Sequence, residues 1–277
     1  MLPLTECIGK VIEWWRDPQI YNAAVKIYAL LPPLFTPTLF WVDAPYGRFA
    51  GSLFFDWSLS GKWAWSIMEG VSPVIYTLSM LLVAPQQVDQ WQPSQVLLYG
   101  LWMIHYINRA IIHPLRAPSM APIHTIAFIS AVLINILNGY TNGVWNARHS
   151  FSLSTPNVAL GLGLWVTGFS INVYHDSILF NLRRTKKKNK ETNQPQQRYF
   201  IPKGGLFDYV SCPNYLGEVV EWTGFAILTS GSYPALAFAA TTFGNLVPRG
   251  KRAHAWYQNQ FKKEYPSSRK AIVPYIF

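Results

Sequence analysis

Long apolar runs alternate with short polar ones along this chain, and that rhythm constrains the fold more than any motif. Runs long enough to cross about 30 Å of hydrocarbon recur at residues 22–42, 64–84, 95–113, 121–140, 157–179 and 215–233. A seventh, 234–248, has no charge but is short, and can span only if its helix continues into the polar stretch from Arg249. Only 13% of the 277 residues are charged, against about 25% in soluble domains. These features predict an all-α polytopic membrane protein with seven transmembrane helices. Pro32, Pro33 and Pro37 should kink or break the first run. The first 15 residues lack the basic start and uninterrupted apolar core of a signal peptide, and read as an amphipathic lead-in. With no internal repeat and no linker, residues 1–277 read as one domain, with 1–60 as lead-in and first span.

A net charge of +10 on so apolar a chain points to nucleic acid or to an anionic surface. The distribution decides between them. Of 23 Lys and Arg, 19 fall after spans one, three, five and seven, which places the C-terminus in the cytoplasm and the N-terminus outside. Nucleic acid is therefore not expected as a partner; the lipid bilayer is. Residues 183–198, RRTKKKNKETNQPQQR, read as a solvated loop between spans five and six. Cys7 and Cys212 would face opposite compartments and cannot pair.

Ionisable groups at membrane depth are costly, and each is a candidate for function. Glu69 is the lone charge of span two. Tyr99, Trp102, Tyr106, Arg109 and His113 recur at helical spacing in span three. Asn172 and Asp176 are four apart in span five, and Asn214, Glu218 and either Glu221 or Trp222 share a face of span six. Tyr99 and Trp102 alone read as packing, and His105, His124, His149 and His175 as ordinary. The chain has no CxxC, no GxSxG and none of the histidine clusters of a di-iron desaturase, so no metal site is expected and serine hydrolysis drops out. A basic cytoplasmic mouth above a polar, aromatic cavity suits an anionic soluble cofactor meeting an apolar substrate.

The stretches SINVYHDSILFNLR, RYFIPKGGLFDYVSCPNYLGEVVEWTGFAI and PRGKRAHAWYQNQFKKEYPSSRKAIVPYIF, with SIMEG and HYINRA upstream, resemble consecutive blocks of the steroid 5α-reductase family. The resemblance covers roughly residues 64–277. It implies a seven-helix membrane enzyme, expected as a monomer, that reduces the Δ4 double bond of a 3-oxo-Δ4-steroid with NADPH bound at cytoplasmic loops. Carried over position by position, it implies cofactor contacts from Asn172, Asp176, Tyr199, Asn214, Glu218, Arg249, His254, Tyr257 and Arg269, and from the basic positions Arg109 and Arg116, with Arg183 at the end of span five beside them. Guanidinium groups suit phosphates, and Asn and Asp suit ribose hydroxyls or a carboxamide.

The same resemblance implies that Glu69 and Tyr106 polarise the 3-oxo group. An enone accepts hydride at its β-carbon only as negative charge flows to the carbonyl oxygen, so donors aimed there lower the barrier. Tyr106 has such a donor, and Glu69 has one only when protonated. The chain departs from the family pattern at Met68, where a glutamine is frequent, and at Phe200, where an arginine contact could instead come from Arg198 or Lys203. His254 is the one candidate for a histidine role. Competing readings are a related membrane reductase of a polyprenol or a very-long-chain enoyl thioester, a membrane methyltransferase and a transporter. The methyltransferase leaves the phosphate-suited arginines unexplained.

Overall fold

A computed structural model of the chain describes residues 4–40, 57–84, 87–191 and 199–277. It is mostly helical. α1 (Leu4–Arg16) leads into α2 (Pro18–Thr38), which is followed by α3 (Gly61–Val83) and α4 (Pro93–Ile107). A π-helical turn, Asn108–Ile112, carries α4 directly into the short α5 (His113–Arg116), and then come α6 (Thr125–Arg148), α7 (Pro156–Glu191), α8 (Pro213–Leu228) and α9 (Tyr233–Phe261). A two-residue antiparallel pairing of Ser58–Leu59 with Ile123–His124 ties the start of α3 to the start of α6.

The boundaries follow local chemistry. The Asp17 carboxylate accepts from the Gln19 N–H, with Pro18 preset for the first turn. Gln92 and Gln95 form a capping box ahead of α4. Pro114 lacks an N–H and crowds the carbonyl four residues back; the π turn just before it absorbs that misfit.

Two expectations change, and the seven-span reading is met in part. α2 runs through Pro32, Pro33 and Pro37 without a break. The basic stretch from Arg183 is not all loop: α7 continues to Glu191, because Lys and Arg are good helix formers, and only residues 192–198 lie outside the described residues. Among the described residues, two helices, α3 and α6, are long and apolar enough to cross a membrane by length and composition. Their outward faces carry Ile67, Val74 and Leu81, and Ile126, Ile129 and Leu133, all exposed. The seventh run does continue beyond Pro248, as its short length required, in the single helix α9.

Two close helix crossings set the geometry of the interior. α7 and α8 run antiparallel with Gly161 against Gly224 and Gly168 against Gly217; a Cβ on Gly217 would come within 2.6 Å of the Asn172 nitrogen. On α6, Gly139 and Gly143 let the backbone approach Ser72 and Tyr76 of α3 in the same way. A side chain at these contacts forces the helices apart. Gly217→Val is expected to destabilise the protein by about 1–3 kcal/mol or more, whereas Gly163→Ala, with open space around it, should be neutral or stabilising by up to about 1 kcal/mol. Thermal unfolding of the two variants in detergent, beside the parent, checks this.

Candidate active site

The helices converge on Arg109, at the π turn after α4. Its guanidinium faces three carboxylates: Glu69 of α3 at 3.8 Å, Asp176 of α7 at 3.9 Å and Glu218 of α8 at 3.4 Å. It also lies over the Trp65 ring, 4.7 Å from the centroid, and the same indole N–H donates to the Arg109 carbonyl at 3.0 Å. Asp176 is held from two more sides, by His113 at 3.1 Å and by the Asn214 amide, which donates at 3.0 Å. Asn172 donates to the Asn214 carbonyl at 3.0 Å and lies 3.5 Å from Glu218. The α7–α8 crossing explains this ladder: Asn172 is one turn beyond Gly168, and Asn214 one turn before Gly217.

Tyr106 is one turn before Arg109, buried, and close enough to Glu69 to be acted on by its charge. Its phenol oxygen accepts a hydrogen bond from Asn138 of α6 at 3.0 Å. The orientation of that amide is determined. Asn142 must present its NH2 to the Asn138 backbone carbonyl, 3.1 Å away, and the same NH2 donates to Asn138 Oδ1 at 3.0 Å. The Tyr28 hydroxyl donates to Oδ1 as well, at 3.0 Å. Asn138 Nδ2 is therefore the atom that meets Tyr106, and the phenol keeps its own proton for another acceptor. Ser72 is buried beside the phenol, near enough to interact with it by hydrogen bonding.

The remaining sequence candidates lie toward the C-terminal lobe, where the chain end pairs with the segment before α8: Lys270 N–H donates to Tyr209, and Ser211 and Cys212 N–H groups donate to Lys270 and Ala271. Ser211 Oγ sits 2.6 Å from both His254 Nδ1 and the Tyr265 hydroxyl. Tyr257 stacks on Tyr265, and Tyr199 packs edge-on to Trp256. Arg249 lies over Tyr215, whose phenol is within the field of Arg109. Arg116 donates to Ser177 at 2.7 Å, and Arg183 to the Ser119 carbonyl at 3.2 Å.

Arg109 and Arg269 are not at an open basic mouth. Arg109 is surrounded by carboxylates. Arg269 is buried, donates to the Pro202 carbonyl at 2.9 Å and keeps an Nε without a hydrogen-bond partner among the described residues. Arg198, one alternative for the phosphate contact at Phe200, lies outside the described residues.

Two of the four histidines read as ordinary, His175 and His105, each fasten one element of the fold to another. His175 Nδ1–H donates to the Ile171 carbonyl at 2.7 Å, while Nε2 accepts from the Leu206 N–H at 2.9 Å. This pins the turn at Gly204 and Gly205, whose positive φ of 92° and 56° suits glycine, onto α7. His105 is buried against Glu221 at 2.7 Å. Met68, where a glutamine was expected, is buried, and only its carbonyl is used, accepting from Asn135 at 2.7 Å. Trp102 is fully buried in an aromatic core with Tyr76, Trp222 and Phe225, so packing is its role.

Residues 121–277 match the family model described as 3-oxo-5-alpha-steroid 4-dehydrogenase. The chain belongs to this family. It is 36% identical over 270 residues to a protein of Arabidopsis thaliana named steroid 5-alpha-reductase DET2, covering 90% of this chain and 96% of the relative. It is 36% identical over 243 residues to 3-oxo-5-alpha-steroid 4-dehydrogenase 1 of Bos taurus, covering 85% and 88%. An uncharacterized protein of Schizosaccharomyces pombe is 35% identical over 280 residues, covering 92% and 98%. In this family member the Arg109 cluster is the largest concentration of interior charge that the described residues hold together.

Removing one partner from such a cluster leaves buried charge uncompensated, at about 3–5 kcal/mol. Arg109→Met is expected to lower the unfolding temperature sharply, and Arg109→Lys to restore it only in part, since an ammonium cannot face three carboxylates as a planar fork does. Thermal unfolding reads both. At the lobe, burial and then the charge of Lys270 push His254 below the usual histidine value. Its folded form thus binds fewer protons than the unfolded chain, so stability is present above the ordinary histidine range and is lost as pH falls through it. Unfolding temperature measured against pH should show that slope, and His254→Asn should flatten it.

Proposed function

We propose that this chain is a multi-pass membrane enzyme, monomeric in the bilayer with its cofactor side in the cytoplasm, that reduces the Δ4 double bond of 3-oxo-Δ4-steroids to 5α-dihydrosteroids with NADPH. Family membership and the names of the relatives support the reaction class. The observation that carries the mechanism is the Tyr106 phenol: its oxygen is committed to Asn138, and its proton is left to point elsewhere, beside Ser72 and within the field of Glu69.

The donor set fits a phosphorylated dinucleotide. Asn172, Asn214 and Asp176 offer amide and carboxylate groups in a row, and the buried Nε of Arg269 has a donor to spare. Arg116, Arg183 and Arg249 add guanidinium groups suited to phosphates, and Tyr199, His254 and Tyr257 complete the set. NADPH, when bound, supplies the hydride. Tyr106 and protonated Glu69 donate to the 3-oxo oxygen as negative charge grows there. Three carboxylates around a single guanidinium can take a proton on Glu69 without unbalancing the cluster. Asn138, itself fixed by Tyr28 and Asn142, aims the phenol. The aromatic core around Trp102 and Trp222 excludes water.

Detergent-purified protein given NADPH and progesterone or testosterone should oxidise the cofactor and form the 5α-dihydro product in equal amounts. Turnover only with a polyprenol or an enoyl thioester would reject the steroid assignment. Glu69→Gln and Tyr106→Phe are expected to lower kcat about 10²-fold or more while NADPH binding stays near normal. Asn138→Leu, which frees the phenol to turn, should lower kcat less and leave the NADPH dissociation constant unchanged. Steady-state kinetics and cofactor fluorescence titration separate these outcomes.

A further inference from the structure

A second acid–base pair is buried behind the Tyr106 site. His105 Nδ1 and Glu221 Oε1 are 2.7 Å apart, with side chains 6% and 0% exposed. The contact bridges α4 to α8. The other carboxyl oxygen, Oε2, is buried and has no hydrogen-bond partner among the described residues. The imidazole packs edge-on to Tyr106, with centroids 4.9 Å apart, and to Trp222 at 4.5 Å.

A mere fastener between helices does not need this chemistry. Apolar residues of the same volume would join the two helices as stably or more so. The reduction, however, consumes one proton per turnover in a site shielded from water, beside the ring this imidazole touches.

We propose that His105 and Glu221 hold that proton and deliver it to the Tyr106 site. The inference rests on the reaction proposed above. After the cofactor's hydride has formed the C–H bond at the β-carbon, an electron pair remains on the enolate. A proton leaves the outer nitrogen of His105 and reaches the carbon next to the carbonyl, directly or through the Tyr106 phenol, closing the second C–H bond. The Glu221 O–H bond breaks as an N–H bond forms at Nδ1. When the product leaves, a solvent proton binds the outer nitrogen of His105, the Nδ1–H bond breaks and the Glu221 O–H bond re-forms, which restores the pair. The charged and titratable groups facing the pair are Glu69 from α3, Tyr106 and Arg109 from the third span, and Glu218 from α8.

His105→Asn keeps an acceptor where Nδ1 stands but cannot pass a proton through, and Glu221→Gln keeps the hydrogen bond without an exchangeable acid. Both are expected to hold the parent's unfolding temperature and NADPH affinity. Each should lower kcat about 10²-fold, raise the solvent deuterium isotope effect and remove one limb of the kcat pH profile. Parent-like kcat and pH profile in either variant would overturn the proposal, because a hydrogen bond alone would then suffice. If a variant does not fold, the parent decides: a kcat without solvent isotope effect and independent of pH across the neutral range overturns it equally. A parent protein inactive on every 3-oxo-Δ4-steroid defeats the substrate reading instead, and the same variants are then assayed on the polyprenol or enoyl thioester that turns over.

Discussion

A guanidinium with only 14% of its side chain exposed has lost most of its hydration and must be neutralised by groups the fold brings to it, and Arg109 imposes that condition on this molecule. Each carboxylate about 4 Å away contributes roughly 4 kcal/mol of attraction at an effective dielectric near 20, and the desolvation of the ions opposes it. Glu69, Asp176 and Glu218 come from three different helices, so α3, α7 and α8 are tied to the π turn after α4 by a single side chain. Trp65 closes the remaining face and binds the same residue's carbonyl. The site is therefore both a charge centre and a structural joint.

Such a joint needs backbones that come close in the right register. The antiparallel crossing that opposes Gly161 with Gly224 and Gly168 with Gly217 also opposes Asn172 with the first residues of α8, where Asn214 lies. A slip of one residue would rotate Asn214 by about 100° and separate it from Asp176. Ordinary side chains at those glycines would hold the two helices too far apart for the ladder to form.

Much of this was legible in the residue order. Rare carboxylates and an arginine inside apolar runs marked Glu69, Arg109, Asp176 and Glu218 before any contact was known, because burying them has to serve something. What escaped notice had a weaker signal or a longer-range cause. Asn138 is an uncharged amide in span four, and nothing in its neighbours reveals that Tyr28, over 100 residues earlier, fixes it. His105 looked ordinary because its partner, Glu221, is 116 positions away. The extension of α7 into the lysine run is legible in helix propensity, although the density of charge alone suggests a loop. The π turn was readable from Pro114.

The direction of the Tyr106 proton shows how far such long-range causes reach. A phenol can turn its O–H toward any acceptor, so a tyrosine at the right position does not by itself make a donor in the right direction. The Asn142 amide has to satisfy a backbone carbonyl, which fixes its NH2; that forces Asn138 Oδ1 toward it and Asn138 Nδ2 toward Tyr106. The phenol oxygen is then an acceptor on one side and its proton must leave on the other. The helical hydrogen-bond geometry of α6 decides where the Tyr106 proton can point.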